Sequence, residues 1–164
     1  MGSGNSGLYS GTHGSSQASS AHSIITMHKR LTSWARSMQS MLKGRQKKRF
    51  NTACAVVDTE SGQIFYGRNR GIEETDSPKN PTLFGDEVRG GILPSTSLNG
   101  YSVGNCAEAH AVNSALNAGA KLENLQMITV HTTRKCFGEL KEACENCTYA
   151  FRGRIKGNYS GWKN

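Results

Sequence analysis

Two short cysteine motifs constrain the fold of this chain more than any other feature. They are Cys-Ala-Glu at residues 106–108 and Cys-Glu-Asn-Cys at residues 144–147, and each begins a segment with helical character. At a helix N-terminus, unpaired N–H groups and the helix dipole favour the thiolate form of cysteine. Cys144 and Cys147 share one helix face, but a pair chelates a metal weakly, so we expect Cys106 to supply a third sulfur. Both helices must then pack side by side on one sheet, with their N-terminal ends together.

Three cysteine ligands are typical of a catalytic zinc site, because a structural site is closed by four protein ligands. The fourth tetrahedral position is open to water, whose pKa zinc lowers to about 7. Glu108 follows Cys106 by two residues, an offset that directs its carboxylate towards the open position. We therefore expect Glu108 to carry protons in a hydrolytic deamination.

Composition and charge narrow the class of partner. Lys and Arg number 20 against 12 Asp and Glu, a formal charge of +8 that favours polyanions and above all nucleic acid. The length of 164 residues fits one domain with a modest core. The sequence contains no apolar run that predicts a membrane span, so we expect no membrane partner. Five cysteines, three of them used by the metal, argue against a disulfide framework and for a reducing compartment.

The periodicity of apolar residues predicts an α/β fold. Residues 1–23 are rich in Gly and Ser and are expected to be a flexible linker, followed by a deaminase domain over residues 24–164. The order of elements predicts a layer sandwich, with a mixed sheet of about four to five strands flanked by helices. The predicted elements are a helix over 24–43 ended by Gly44, a basic run at 45–49, strands at 50–57 and 63–68 joined by a turn, an irregular stretch over 69–105, a helix over 106–118, a strand at 126–132, a helix over 144–153 and a tail with room for one strand. The basic run is either a solvated loop or a patch that contacts phosphates.

The two motifs resemble those of the YwqJ-like branch of the zinc-dependent cytidine deaminase superfamily. The resemblance extends to the sequence around the first motif, which is Gly-Asn-Cys-Ala-Glu-Ala-His-Ala-Val-Asn at residues 104–113. Members of this branch are toxin domains at the C-termini of bacterial polymorphic toxins. The resemblance implies a cytidine-deaminase-like layer sandwich and conversion of cytosine to uracil. It implies Zn²⁺ held by Cys106, Cys144 and Cys147, with Glu108 catalytic. Alanines at 109 and 143 stand where the family often has proline.

The resemblance also implies partners and a location. The domain is expected to be exported by the producing bacterium, to act on DNA or RNA in the target-cell cytoplasm, and to be neutralised in the producer by a cognate immunity protein. We expect a monomer. The candidate substrate contacts are Asn51 on the first strand, Ala107 within the first motif, Tyr101 as a base-stacking residue of the long loop, and His131 on the strand leading to the second motif.

Alternative functions stay open at this stage. A deaminase of free cytidine or nucleotides would use the same three cysteines and glutamate, and the same chemistry serves adenine. A non-catalytic zinc module that binds nucleic acid would leave Glu108 without a role, as would a structural site closed by His110. We expect His110 to be a hydrogen-bonded helix residue, and Cys54 and Cys136 to lie outside the metal site.

Overall fold

The computed structural model of the protein describes residues 23–75, 78–85 and 90–164. The predicted linker lies outside these ranges except for its last residue, so the division into linker and domain stays a prediction. The helices are α1 Ile24–Met41, α2 Gly44–Arg49, α3 Gly71–Thr75, α4 Pro81–Phe84, α5 Ala107–Asn117 and α6 Glu145–Phe151. The strands are β1 Thr52–Asp58, β2 Ile64–Arg68, β3 Leu125–His131 and β4 Gly157–Asn158. Within the described ranges, none of these helices is long and apolar enough to cross a membrane.

The strands form one mixed sheet in the order β2-β1-β3-β4. Strand β1 pairs antiparallel with both β2 and β3, whereas β4 runs parallel to β3. The predicted turn between β1 and β2 is present: Asp58 accepts hydrogen bonds from Glu60 and Ser61, and Gly62 has a φ of +80°. The predicted α/β architecture with a mixed, helix-flanked sheet is confirmed.

Helices cover both faces of the sheet, which explains why every residue of β1 is buried. On one face, Ala53, Ala55 and Val57 pack against the apolar stripe of α1. On the other face, Cys54 and Val56 pack against α5 and α6. Successive side chains of a strand alternate between faces, so one central strand serves both cores. The helices that follow the two cysteine motifs therefore share a face, as the metal site requires.

Three predicted boundaries are corrected by the structure. Helix α1 ends at Met41 rather than at Gly44, because the chain turns to bury Leu42 in the core. Gly44, with a φ of +59°, instead begins α2, so the basic run is helical and not a loop. The stretch 69–105 is not wholly irregular, since it contains α3 and α4.

The packing of α5 on β2 depends on Gly67. A Cβ added at Gly67 would lie 2.4 Å from the backbone N of Ala111 and 2.5 Å from the backbone O of Ala107. Neither atom can move without moving α5. The absence of a side chain therefore sets how closely the helix that carries Cys106 and Glu108 approaches the sheet.

We expect Gly67→Ala to displace α5 and to destabilise the protein by about 2 kcal/mol or more, because an added methyl group would overlap helix backbone. Urea denaturation and the zinc content of the purified protein measure the two effects. Gly100→Ala is the matched control, since a Cβ there meets nothing within 4 Å. Equal stability and zinc content in both variants would contradict this role for Gly67.

Candidate metal centre

The three predicted cysteine sulfurs converge at the N-terminal ends of two neighbouring helices. Cys106 is the N-cap of α5, Cys144 is the N-cap of α6, and Cys147 lies in the first turn of α6. The Sγ atoms of Cys106 and Cys144 are 3.2 Å apart. All three Sγ atoms lie within 4.8 Å of one another. Residues separated by 38 positions in the chain thus form one compact group.

This group fits zinc in donor chemistry and in spacing. Zn–S bonds of about 2.3 Å in a tetrahedron place sulfurs roughly 3.8 Å apart, and that spacing lies between the 3.2 Å that separates Cys106 from Cys144 and the 4.8 Å that no pair of the three sulfurs exceeds. Among the described residues, no fourth His, Cys, Asp or Glu joins the group. Three thiolates with one position left over are the ligand set of an open, catalytic site.

The sulfurs titrate as a unit. Hydrogen bonds from the Cys106 thiol and then from the Cys147 thiol lower the pKa of Cys144 to about 2, and the N–H groups of Cys147 and Asn146 add to this effect. Contact with the Cys144 sulfur raises the pKa of Cys106, and contact with Cys106 and Cys144 raises that of Cys147. The thiolate form is thus favoured at Cys144, and a cation held by all three sulfurs would displace the remaining thiol protons.

Glu108 lies in the first turn of α5 beside the sulfurs but is not part of their group. It lines the same pocket as Cys106 and Cys144 and is only 4% exposed. Burial raises its pKa to about 7, and the negative charge of Cys144 acts in the same direction. A carboxyl with a pKa near neutrality can both accept and return a proton, which is the property that acid–base catalysis requires.

A pocket of about 530 Å³ opens over this group and brings together three of the four predicted substrate contacts. Asn51 lies immediately before β1, Ala107 lies in α5, and Tyr101 is 74% exposed at the pocket wall. The side-chain oxygen of Asn51 accepts a hydrogen bond from the Thr52 hydroxyl at 2.7 Å. His131 is not among the described residues that line the pocket, so its substrate contact stays a prediction without support from this geometry.

The remaining histidine and cysteine candidates lie outside the metal group. The Nδ1 atom of His110 accepts a hydrogen bond from the Arg68 N–H at 3.1 Å, and burial lowers its pKa. His110 also packs so tightly under Gly71 that a Cβ there would lie 1.9 Å from its ring nitrogen. Cys54 is buried in β1, and Cys136 is within hydrogen-bonding distance of a threonine hydroxyl.

Asn146, between the two cysteines of the second motif, is a site residue that the sequence did not reveal. Its side chain is fully buried, accepts a hydrogen bond from the Leu98 N–H at 2.8 Å and donates one to the Ser97 hydroxyl at 3.1 Å. That hydroxyl donates to the Tyr101 carbonyl at 2.5 Å. The metal-binding turn therefore holds the loop over residues 97–101 against the pocket. The only signal in the sequence was a polar residue between the two cysteines of the motif, and the sequence did not show which group that residue would contact.

The structure explains why position 143 holds alanine rather than proline. Its N–H donates to the Gly161 carbonyl at 3.0 Å, a bond that proline cannot make because it has no N–H. Lys163 strengthens the same attachment through its N–H to Thr148 and an ion pair with Glu142 at 3.3 Å. The C-terminal tail thereby fixes the start of α6.

Comparison with known proteins agrees with this geometry. The family description "cytidine and deoxycytidylate deaminase zinc-binding region" matches residues 26–153. The matched range contains all three sulfur ligands and Glu108. A search of curated proteins finds no match to the chain.

In the metal-free protein, Glu108 should make stability fall as pH rises. Its pKa is about 7 in the folded state against an ordinary 4.5, so between these values the folded chain binds the extra proton. The stabilisation is complete below about 4.5 and is lost as pH rises through about 7. We expect the difference in unfolding free energy between wild type and Glu108→Gln to change by roughly 3 kcal/mol between about pH 4 and pH 8. Urea denaturation of chelator-treated, reduced protein measures it, and parallel pH profiles would contradict it.

Asn146→Ala should free the 97–101 loop while the cysteines still bind zinc. Loss of the buried amide leaves the Leu98 N–H without its partner at a cost of about 1–3 kcal/mol, which corresponds to about tenfold or faster amide exchange. Hydrogen exchange at Leu98 and Tyr101 in the zinc-loaded protein measures this. Glu145→Ala is the control, because the Glu145 contact to Asn99 is longer, at 3.2 Å, and should matter less. Unchanged exchange in Asn146→Ala would show that other contacts hold the loop.

Proposed function

The chain belongs to the cytidine and deoxycytidylate deaminase family, and on that basis we propose that it converts cytosine to uracil within DNA or RNA. As a family member it is a zinc-dependent hydrolase that acts on a C–N bond. One observation carries the proposal: the group of three sulfurs suited to zinc lies at an open pocket, which is lined by two of its cysteines, Cys106 and Cys144, and by the buried Glu108. That combination leaves room for both water and a base.

The residues of the pocket divide the reaction between them. Cys106, Cys144 and Cys147 would hold the ion, and zinc bound there would supply the Lewis acidity that makes water a nucleophile near neutral pH. Glu108 would carry both protons of the attacking water, the first to the ring nitrogen and the second, from the new hydroxyl group on the reacting carbon, to the departing amine. Cytosine and water give uracil and ammonia. Backbone N–H groups in the first turn of α5 would support negative charge that develops on the atoms bonded to the reacting carbon.

Two features favour a base within a polymer over a free nucleoside. The formal charge of +8 attracts polyanions. The 74% exposed ring of Tyr101 at the pocket wall offers a stacking surface for a base beside the target. A base reaches such a pocket when it is unpaired or is turned out of the duplex.

We further propose that the chain is a YwqJ-like toxin domain. It would be exported by a producing bacterium, would act as a monomer in the cytoplasm of the target cell, and would meet a cognate immunity protein in the producer. The Gly/Ser-rich residues 1–23 and the wording around the two cysteine motifs support this proposal. Expression of the wild-type chain should then stop bacterial growth, whereas Glu108→Gln should not.

Deamination can be tested directly on five substrates. Zinc-loaded protein is incubated with single- and double-stranded DNA, single- and double-stranded RNA, and free cytidine. We expect C-to-T or C-to-U changes on sequencing of at least one polymer, and we expect Glu108→Gln to lose about a hundredfold or more of the rate while keeping its zinc.

The controls separate the candidate functions. Activity on free cytidine alone would overturn the polymer substrate. Binding of a polymer with no deamination of any substrate, by protein shown to contain zinc, would favour a non-catalytic zinc module.

A further inference from the structure

Helix α2 carries a dense positive charge. Four of its six residues are basic, all four are exposed, and none forms an ion pair with a carboxylate of the described residues. These four residues are Arg45, Lys47, Lys48 and Arg49. Mutual repulsion among neighbouring cations without counter-charges is unfavourable, which makes such a cluster a binding surface for an anion.

The C-terminal end of α2 lies at the rim of the catalytic pocket. Lys48 and Arg49 line the pocket together with Glu108. The side chain of Asn69 holds this end in place: its amide donates to the Arg49 carbonyl at 2.7 Å, and its oxygen accepts from the N–H of Thr52 at 3.1 Å. The position of the two cations relative to β1 is therefore set by hydrogen bonds.

The other cations that line the pocket already have partners. Arg70 forms ion pairs with Glu73 at 3.2 Å and with Glu74 at 3.8 Å. The Lys141 ammonium donates to the Thr52 hydroxyl at 2.6 Å. Lys141 keeps its positive charge, because a hydroxyl does not neutralise an ammonium group. Among the described lining residues, Lys48 and Arg49 are the cations whose charged groups make neither an ion pair nor a hydrogen bond within the protein.

We propose that α2 binds the sugar–phosphate backbone of the polynucleotide whose base enters the pocket. This inference rests on the proposed function and assigns the polymer contact to a specific helix. Six helical residues extend about 9 Å, so the cluster exceeds what a single phosphate can neutralise and suits a chain of successive phosphates. A free nucleoside would gain nothing from it, because it carries no phosphate.

The salt dependence of binding tests the proposal without requiring catalysis. Zinc-loaded Glu108→Gln protein is titrated with a fluorescent single-stranded oligonucleotide that contains one cytosine, from about 50 to about 200 mM salt. Each lost phosphate contact reduces the slope of log K against log salt by about 0.7 on a single strand. We expect Lys48→Gln with Arg49→Gln to reduce the slope by about 1.4 and to weaken binding about tenfold or more at the lowest salt.

Lys29→Gln with Arg30→Gln is the charge-matched control. These exposed residues of α1 line a different cleft, beside Trp34 and Tyr66, so this pair should leave the slope nearly unchanged. If both double variants lost the same amount of affinity and of salt slope, the inference would be overturned, because net charge alone would then explain binding. An unchanged slope in the α2 variant would also overturn it. If either of these results were obtained and the protein still deaminated a polymer, the proposed function would stand and only the role of α2 would be rejected.

Discussion

The close approach of α5 to the sheet is the constraint on which the metal centre depends. At Gly67, helix backbone occupies the space where any side chain would begin, and this contact places Cys106 and Glu108 at the edge of the sheet. The second helix is fixed independently, by the hydrogen bond from Ala143 to the C-terminal tail. Because both helix starts are anchored by backbone packing or backbone hydrogen bonds, the sulfurs are held near one another even before an ion draws them together.

One turn of α6 serves both the metal and the substrate side of the pocket. Cys144 and Cys147 direct their sulfurs to the metal group, while Asn146 between them directs its amide to the 97–101 loop. A buried amide that lost these partners would be costly, so the loop that carries Tyr101 is tied to the metal-binding turn.

The acidic groups of the pocket lie deep within it, and the unpaired cations lie at its rim. The sulfurs and Glu108 lie in the interior, where burial raises the pKa of the carboxyl and where a divalent cation would offset the thiolates. The unpaired cations lie at the rim on α2, where water solvates them at little cost. The cations at the rim of the pocket would thus attract a negatively charged polymer, and one of its neutral bases would enter the pocket as far as the sulfurs and Glu108.

The sequence alone determined the chemistry of this protein, because ligand type and spacing within each motif are local properties. Three cysteines and Glu108 indicated zinc-dependent deamination. The periodicity of apolar residues indicated the layered fold. Helix ends were less predictable: the first helix ends at Met41, where Leu42 turns into the core, and the basic run forms a helix of its own. Only the tertiary structure decided that Asn146 holds the loop over 97–101 and that His110 accepts a hydrogen bond from the backbone of β2. These facts depend on contacts between residues far apart in the chain, and no local pattern encodes which distant group a buried polar side chain will meet.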